Sequence, residues 1–138
     1  MLEALVRGRP SEVPRREEIE AWLGVELKFE GETGGWRCYE AAPAGGGPIA
    51  RVDARFERGG GRVFVVLVVA ASPPIHEAAL GLVTGTELPQ LDIQPQIPPE
   101  GTVAYIFGPD SARVCWQFTA KTRRLRNVSI AWSAHEGR

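Results

Sequence analysis

The chain has 138 residues, of which 43% are hydrophobic and 24% charged, a balance that excludes wholesale disorder and fibrous repeats and fits one domain, residues 1–138, around one core. Sixteen basic against seventeen acidic residues give a formal charge of -1, so no global field draws the chain to nucleic acid or anionic lipid. The longest strongly apolar run, Val63 to Ala71, is about half of the ~20 residues that cross a bilayer as a helix. Its mid-chain position and the acidic Glu3 argue against a secretory signal, and the expectation is a cytoplasmic protein.

Leu2, Leu5 and Val6 have helical spacing until Gly8-Arg9-Pro10 breaks it, which predicts a short first helix. The next helix is better marked. Ser11 or Val13 precedes a first-turn proline, Pro14, of a helix to Leu23 in which Ile19, Trp22 and Leu23 form one apolar stripe, Arg16 and Glu20 can pair on the other side, and Gly24 supplies the stop. The period then changes to two. Val25, Leu27 and Phe29 alternate with Glu26, Lys28 and Glu30, and a turn over Gly31 to Gly35 leads to a hairpin partner at Trp36 to Tyr39.

Ala41 to Pro48 is too rich in glycine and proline for regular structure. Ile49 to Glu57 alternates again, with Val52, Ala54 and Phe56 on one face and Arg51, Asp53, Arg55 and Glu57 on the other. After Gly59-Gly60-Gly61, the run from Arg62 to Ala70 is apolar at nearly every position and mostly β-branched, which predicts a central strand covered on both faces.

Ser72 to Gly81 carries start and stop signals for a short mid-chain helix. Thr84 to Gly101 holds Pro89, Pro95, Pro98 and Pro99 and reads as a long extended loop. Three strands then follow as a meander: Thr102 to Phe107, Ala112 to Thr119 and Leu125 to Ser133. Val114, Trp116 and Phe118 share one face, as do Val128, Ile130 and Trp132. The tail from Ala134 onward is expected to fray. The two halves echo each other in element order but not in residues.

The predicted fold is α+β: a single antiparallel sheet of about six or seven strands, with the N-terminal helix packed on one face and a short mid-chain helix. Cys38 and Cys115 both lie in strands and read as buried free thiols, because a bridge would require neighbouring strands.

Reactive motifs are few. His76-Glu77 lacks a second ligand one turn on, where Leu80 stands, and the glycine triplets lack the lysine or helix start of a phosphate loop. No catalytic residue, metal or cofactor is assigned. The densest charge cluster is Lys121-Thr122-Arg123-Arg124-Leu125-Arg126, four cations without an acid, expected to project from a hairpin turn as a basic knob. Trp36 follows a turn, where a tryptophan can stand at a rim and anchor a partner.

The function expected is therefore that of a non-catalytic protein-binding domain, such as an inhibitor, immunity protein or adaptor. It would act through the Pro-rich loop and the basic turn, with Trp36, Lys121, Arg123, Arg124 and Arg126 at the contact. A protein partner is expected rather than nucleic acid or membrane, and the sequence does not set the oligomeric state. The alternative is a small enzyme or ligand-binding cup on the sheet face, with Asp53, Glu30, His76 or Tyr105 as polar groups.

Overall fold

A computed structural model describes residues 2–43, 47–70, 73–76, 80, 90–94, 102–109 and 111–134, with 90–94 in backbone only. Two helices, α1 (Leu2–Arg7) and α2 (Arg16–Leu23), precede eight strands: β1 (Lys28–Thr33), β2 (Trp36–Ala41), β3 (Ile49–Glu57), β4 (Arg62–Val69), β5 (Gln90–Gln94), β6 (Thr102–Phe107), β7 (Ala112–Thr119) and β8 (Leu125–Ser133). All pair antiparallel in one sheet of order β1-β2-β3-β4-β8-β7-β6-β5. Two four-stranded meanders thus meet at their last strands, β4 and β8. Each half has the same order from edge to centre.

Six of the seven strands read from the sequence form close to their expected bounds. The first is displaced, Val25 to Leu27 lying before β1 and Gly31 to Thr33 within it, with Phe29 exposed. Strand β5 adds an eighth inside the segment read as an extended loop. There, Leu91 pairs with Tyr105 and Ile93 with Val103. Neither residue is part of a long alternating run, so the pattern alone could not separate a short edge strand from a loop. The rest of that loop lies outside the described residues, as do positions 44–46 and the tail from 135.

The mid-chain helix expected over Ser72 to Gly81 does not extend across Pro73 to His76. Leu125 donates its amide to Ile75 O at 2.7 Å, and His76 forms an isolated antiparallel bridge with Arg124. The segment pairs instead with the chain at the start of β8, which satisfies its backbone groups. Residues 77–79 and 81 lie outside the described residues.

Alternation decides what is buried. On β4, Val63, Val65, Leu67 and Val69 are buried, whereas Phe64, Val66 and Val68 remain half-buried. The expectation of full cover on both faces therefore holds for one face only. On this inner face, Val65 stands opposite Ala54 of β3 and Ile130 of β8, and Ile130 opposite Val114 of β7. Burying each such aliphatic side chain contributes about 1.5–3 kcal/mol relative to leaving it in water. The core is this face.

The N-terminal segment makes specific contacts there. Ile19 of α2 is fully buried in the core cluster with Leu2 and Val6 of α1. Trp22 meets Trp132 edge to face at 6.1 Å. Gly24 ends α2 in the left-handed region at φ 68°, its amide donating to Glu20 O at 2.7 Å, a conformation that favours glycine. Leu27 N then donates to the Glu20 carboxylate at 2.8 Å, which fixes the turn into β1.

Candidate functional site

Gly34 and Gly35, both at positive φ (56° and 86°), form the tight turn between β1 and β2. That turn delivers Trp36 to the first position of β2, opposite Glu57. One step beyond the Phe56–Val63 pair, Glu57 faces Arg62, and Arg62 pairs in turn with Ser133. Trp36, Glu57, Arg62 and Ser133 therefore form one row across the outer face of four strands.

The row is held by charge and stacking. Arg62 donates through Nη2 and Nε to Glu57 Oε2, at 2.8 and 3.2 Å, and its guanidinium lies 5.1 Å from the Trp36 ring centroid. The hydrogen bond from Arg62 holds the Glu57 carboxyl below the ordinary range, and the same bond raises the Arg62 pKa. Both side chains meet solvent, so the pair orders the surface more than it stabilises the fold.

The next row inward runs Cys38, Arg55, Phe64, Ala131, Arg113. Between the two rows lies a half-open groove of about 370 Å³, floored by Phe64 and Ala131 and flanked by Trp36, Arg55 and Arg62. Arg55 is exposed and has no ion-pair partner among the described residues.

The remaining predicted contact residues lie elsewhere. Lys121, Arg123, Arg124 and Arg126 follow β7 at the opposite end of β8, roughly 27 Å from the Trp36 row at ~3.4 Å per residue. The structure does not bring Trp36 and the basic turn together. Nor does the cluster project as a whole. Arg123 is half-buried at φ 57° and donates to Tyr105 Oη at 2.9 Å and Ala120 O at 3.1 Å. Arg124 is tied into the turn, its amide donating to Thr119 Oγ1 and its carbonyl accepting from Thr119 N. Lys121 is exposed and Arg126 half-buried.

The polar groups of the alternative cup are also dispersed. Asp53 is on the outer face with Arg51 at 3.2 Å, Tyr105 is on the inner face beside Phe118, Glu30 is exposed on the edge strand β1, and His76 is exposed with Nδ1 3.2 Å from Thr122 O. The centre of the inner face is filled by Trp116, Phe118, Ile130 and Trp132.

Sequence reasoning missed Arg55, Arg62 and Phe64 as surface partners of Trp36. Phe64 was hidden in an apolar run, and the Glu57–Arg62 pairing required counting register outward from the Gly59-Gly60-Gly61 turn. Compared with protein-family models, curated proteins and solved structures, the chain matches none.

Proposed function

We propose that this chain is a non-catalytic protein-binding domain of the inhibitor, immunity-protein or adaptor type, whose contact surface is the outer-face groove around Trp36 and Arg62. One observation carries the reading: a tryptophan at the rim is stacked beneath an arginine that a carboxylate already holds in place. Tryptophan and arginine are the residue types that dominate binding energy at interfaces. Pre-ordering by Glu57 reduces the side-chain entropy lost on association. The apolar floor of Phe64 and Ala131 accepts a protruding partner side chain, and Arg55 favours a partner that presents a carboxylate beside it.

In this reading, α1 and α2 are the cover of the inner face, and their role is to keep the sheet rigid behind the contact surface. The basic turn forms at most a second contact at the far end. A reducing, intracellular setting belongs to the same proposal and is supported by two thiols too far apart to bridge.

A photo-crosslinking side chain introduced at Arg55 tests the proposal in the native host. The expected result is one predominant crosslinked protein, lost when Trp36 is also replaced by alanine. A smear of products that is indifferent to Trp36→Ala contradicts it.

A further inference from the structure

A second groove lies on the other face. Between the segment Val13 to Arg16 and the β2–β3–β4 end of the sheet is a half-open space of about 330 Å³, lined by Arg15, Arg16, Arg37, Arg62, Tyr39 and Phe56, with Glu57 as the one acid in its wall. Register explains the convergence. Arg37 stands opposite Phe56, and Tyr39, two residues on, opposite Ala54, so Arg37 and Tyr39 share the inner face.

The floor is aromatic and fixed. The Tyr39 ring meets Phe29 at 5.4 Å and Phe56 at 5.5 Å, both edge to face, and the Arg16 guanidinium is 5.7 Å from its centroid. The walls carry four arginines, each already in an exposed ion pair. Glu57 is taken up by Arg62 at 2.8 Å. The other three arginines have only long ion pairs, with Glu18 at 3.7 Å, Glu17 at 3.8 Å and Glu32 at 3.4 Å, none of which lines the groove. Such exposed pairs are weak and exchange readily for a better acceptor, and a guanidinium fork fits a carboxylate or phosphate edge on.

We propose that this groove is a binding site for a small planar organic anion, whose ring packs beside Tyr39 and Phe56 and whose carboxylate or phosphate is held by Arg16 and Arg37. The volume lies at the lower end of small-molecule sites, roughly 300–1,000 Å³, which suits a compact ligand. The groove shares the Arg62 side chain with the Trp36 groove, but Arg16, Arg37 and Tyr39, on which the proposal rests, do not line that groove, so the two readings are tested separately.

Heteronuclear NMR titration of the full chain tests it, with adenosine monophosphate and naphthoate as probes and adenosine and inorganic phosphate as controls. The aromatic anions are expected to shift the amide signals of Arg16, Arg37 and Tyr39 with saturation at about millimolar concentration or below, at least about tenfold tighter than either control. A preference between the two aromatic anions distinguishes a phosphate from a carboxylate ligand. Arg16→Gln and Arg37→Gln alter exposed side chains, and each weakens binding at least about fivefold with a native-like spectrum. Absence of these shifts at about 10 mM of either aromatic anion overturns the proposal. So does equal binding by adenosine or phosphate alone, or undiminished binding by the Arg16→Gln/Arg37→Gln double variant.

Discussion

Trp22 and Trp132 meet edge to face at 6.1 Å, and both indole N–H groups donate into the N-terminal segment, Trp22 to Leu5 O at 2.9 Å and Trp132 to Pro10 O at 2.7 Å. Strand β8 is thereby tied to residues more than a hundred positions earlier. Trp132→Phe keeps most of the apolar volume but leaves Pro10 O without its donor, and is expected to destabilise by about 1–3 kcal/mol. Trp132→Ala adds a cavity, for about 3–5 kcal/mol in all. Urea unfolding followed by circular dichroism measures both.

Arg9 makes a second tie, donating through Nε and Nη2 to Ala112 O at 3.2 and 2.9 Å and through Nη1 to Val6 O at 2.9 Å. Burial lowers its pKa, although it stays charged at any pH the fold survives. Lysine cannot reproduce this fork. Arg9→Lys is expected to raise hydrogen exchange selectively in α1 and to cost about 1–2 kcal/mol, while the amides of β4 keep their protection.

Both cysteines are free and half-buried, Cys38 on β2 and Cys115 on β7, with β3, β4 and β8 between them. Four strand spacings of ~4.8 Å place them about 19 Å apart, far beyond disulfide reach. Thiol titration in denaturant without reductant should count two groups per chain. One or none would mean that the strand order is wrong.

The Glu57–Arg62 pair gives a pH dependence of known sign. The folded Glu57 pKa is lowered, so its contribution is present above the unfolded carboxyl value of about 4.3 and is lost as pH falls through the lowered folded value. The Trp36 indole signal, which senses the guanidinium above it, should therefore hold constant at neutral pH and move only in acid. Glu57→Gln should remove that acid transition and leave Arg62 less ordered already at neutral pH.

Much of the sheet was legible because periodicity and turn chemistry agree: the alternation in Val52-Ala54-Phe56, Val114-Trp116-Phe118 and Val128-Ile130-Trp132 is the burial pattern of β3, β7 and β8. Strand β5 was not, since five residues between prolines carry too little pattern. The segment Pro73 to His76 was misread because helix start signals also describe a chain that hydrogen-bonds to a neighbouring strand. The surface was hardest. Trp36 could be named as a rim residue, but its partners Arg62 and Phe64 follow only from cross-strand register, which a linear pattern does not contain. The basic turn looked like a knob because charge density says nothing of Arg123 folding back onto Tyr105.

In the proposed contact, Trp36, positioned by Arg62, carries most of the binding energy. The most direct measurement is the affinity of the crosslinked partner, once purified, for the wild-type chain, Trp36→Ala and Lys121→Ala, with unfolding curves for all three. Trp36→Ala should weaken binding by roughly 30-fold or more, about 2 kcal/mol, with little change in stability, while Lys121→Ala leaves affinity within about threefold. Equal affinity of Trp36→Ala and wild type, or a larger loss from Lys121→Ala, would contradict the account.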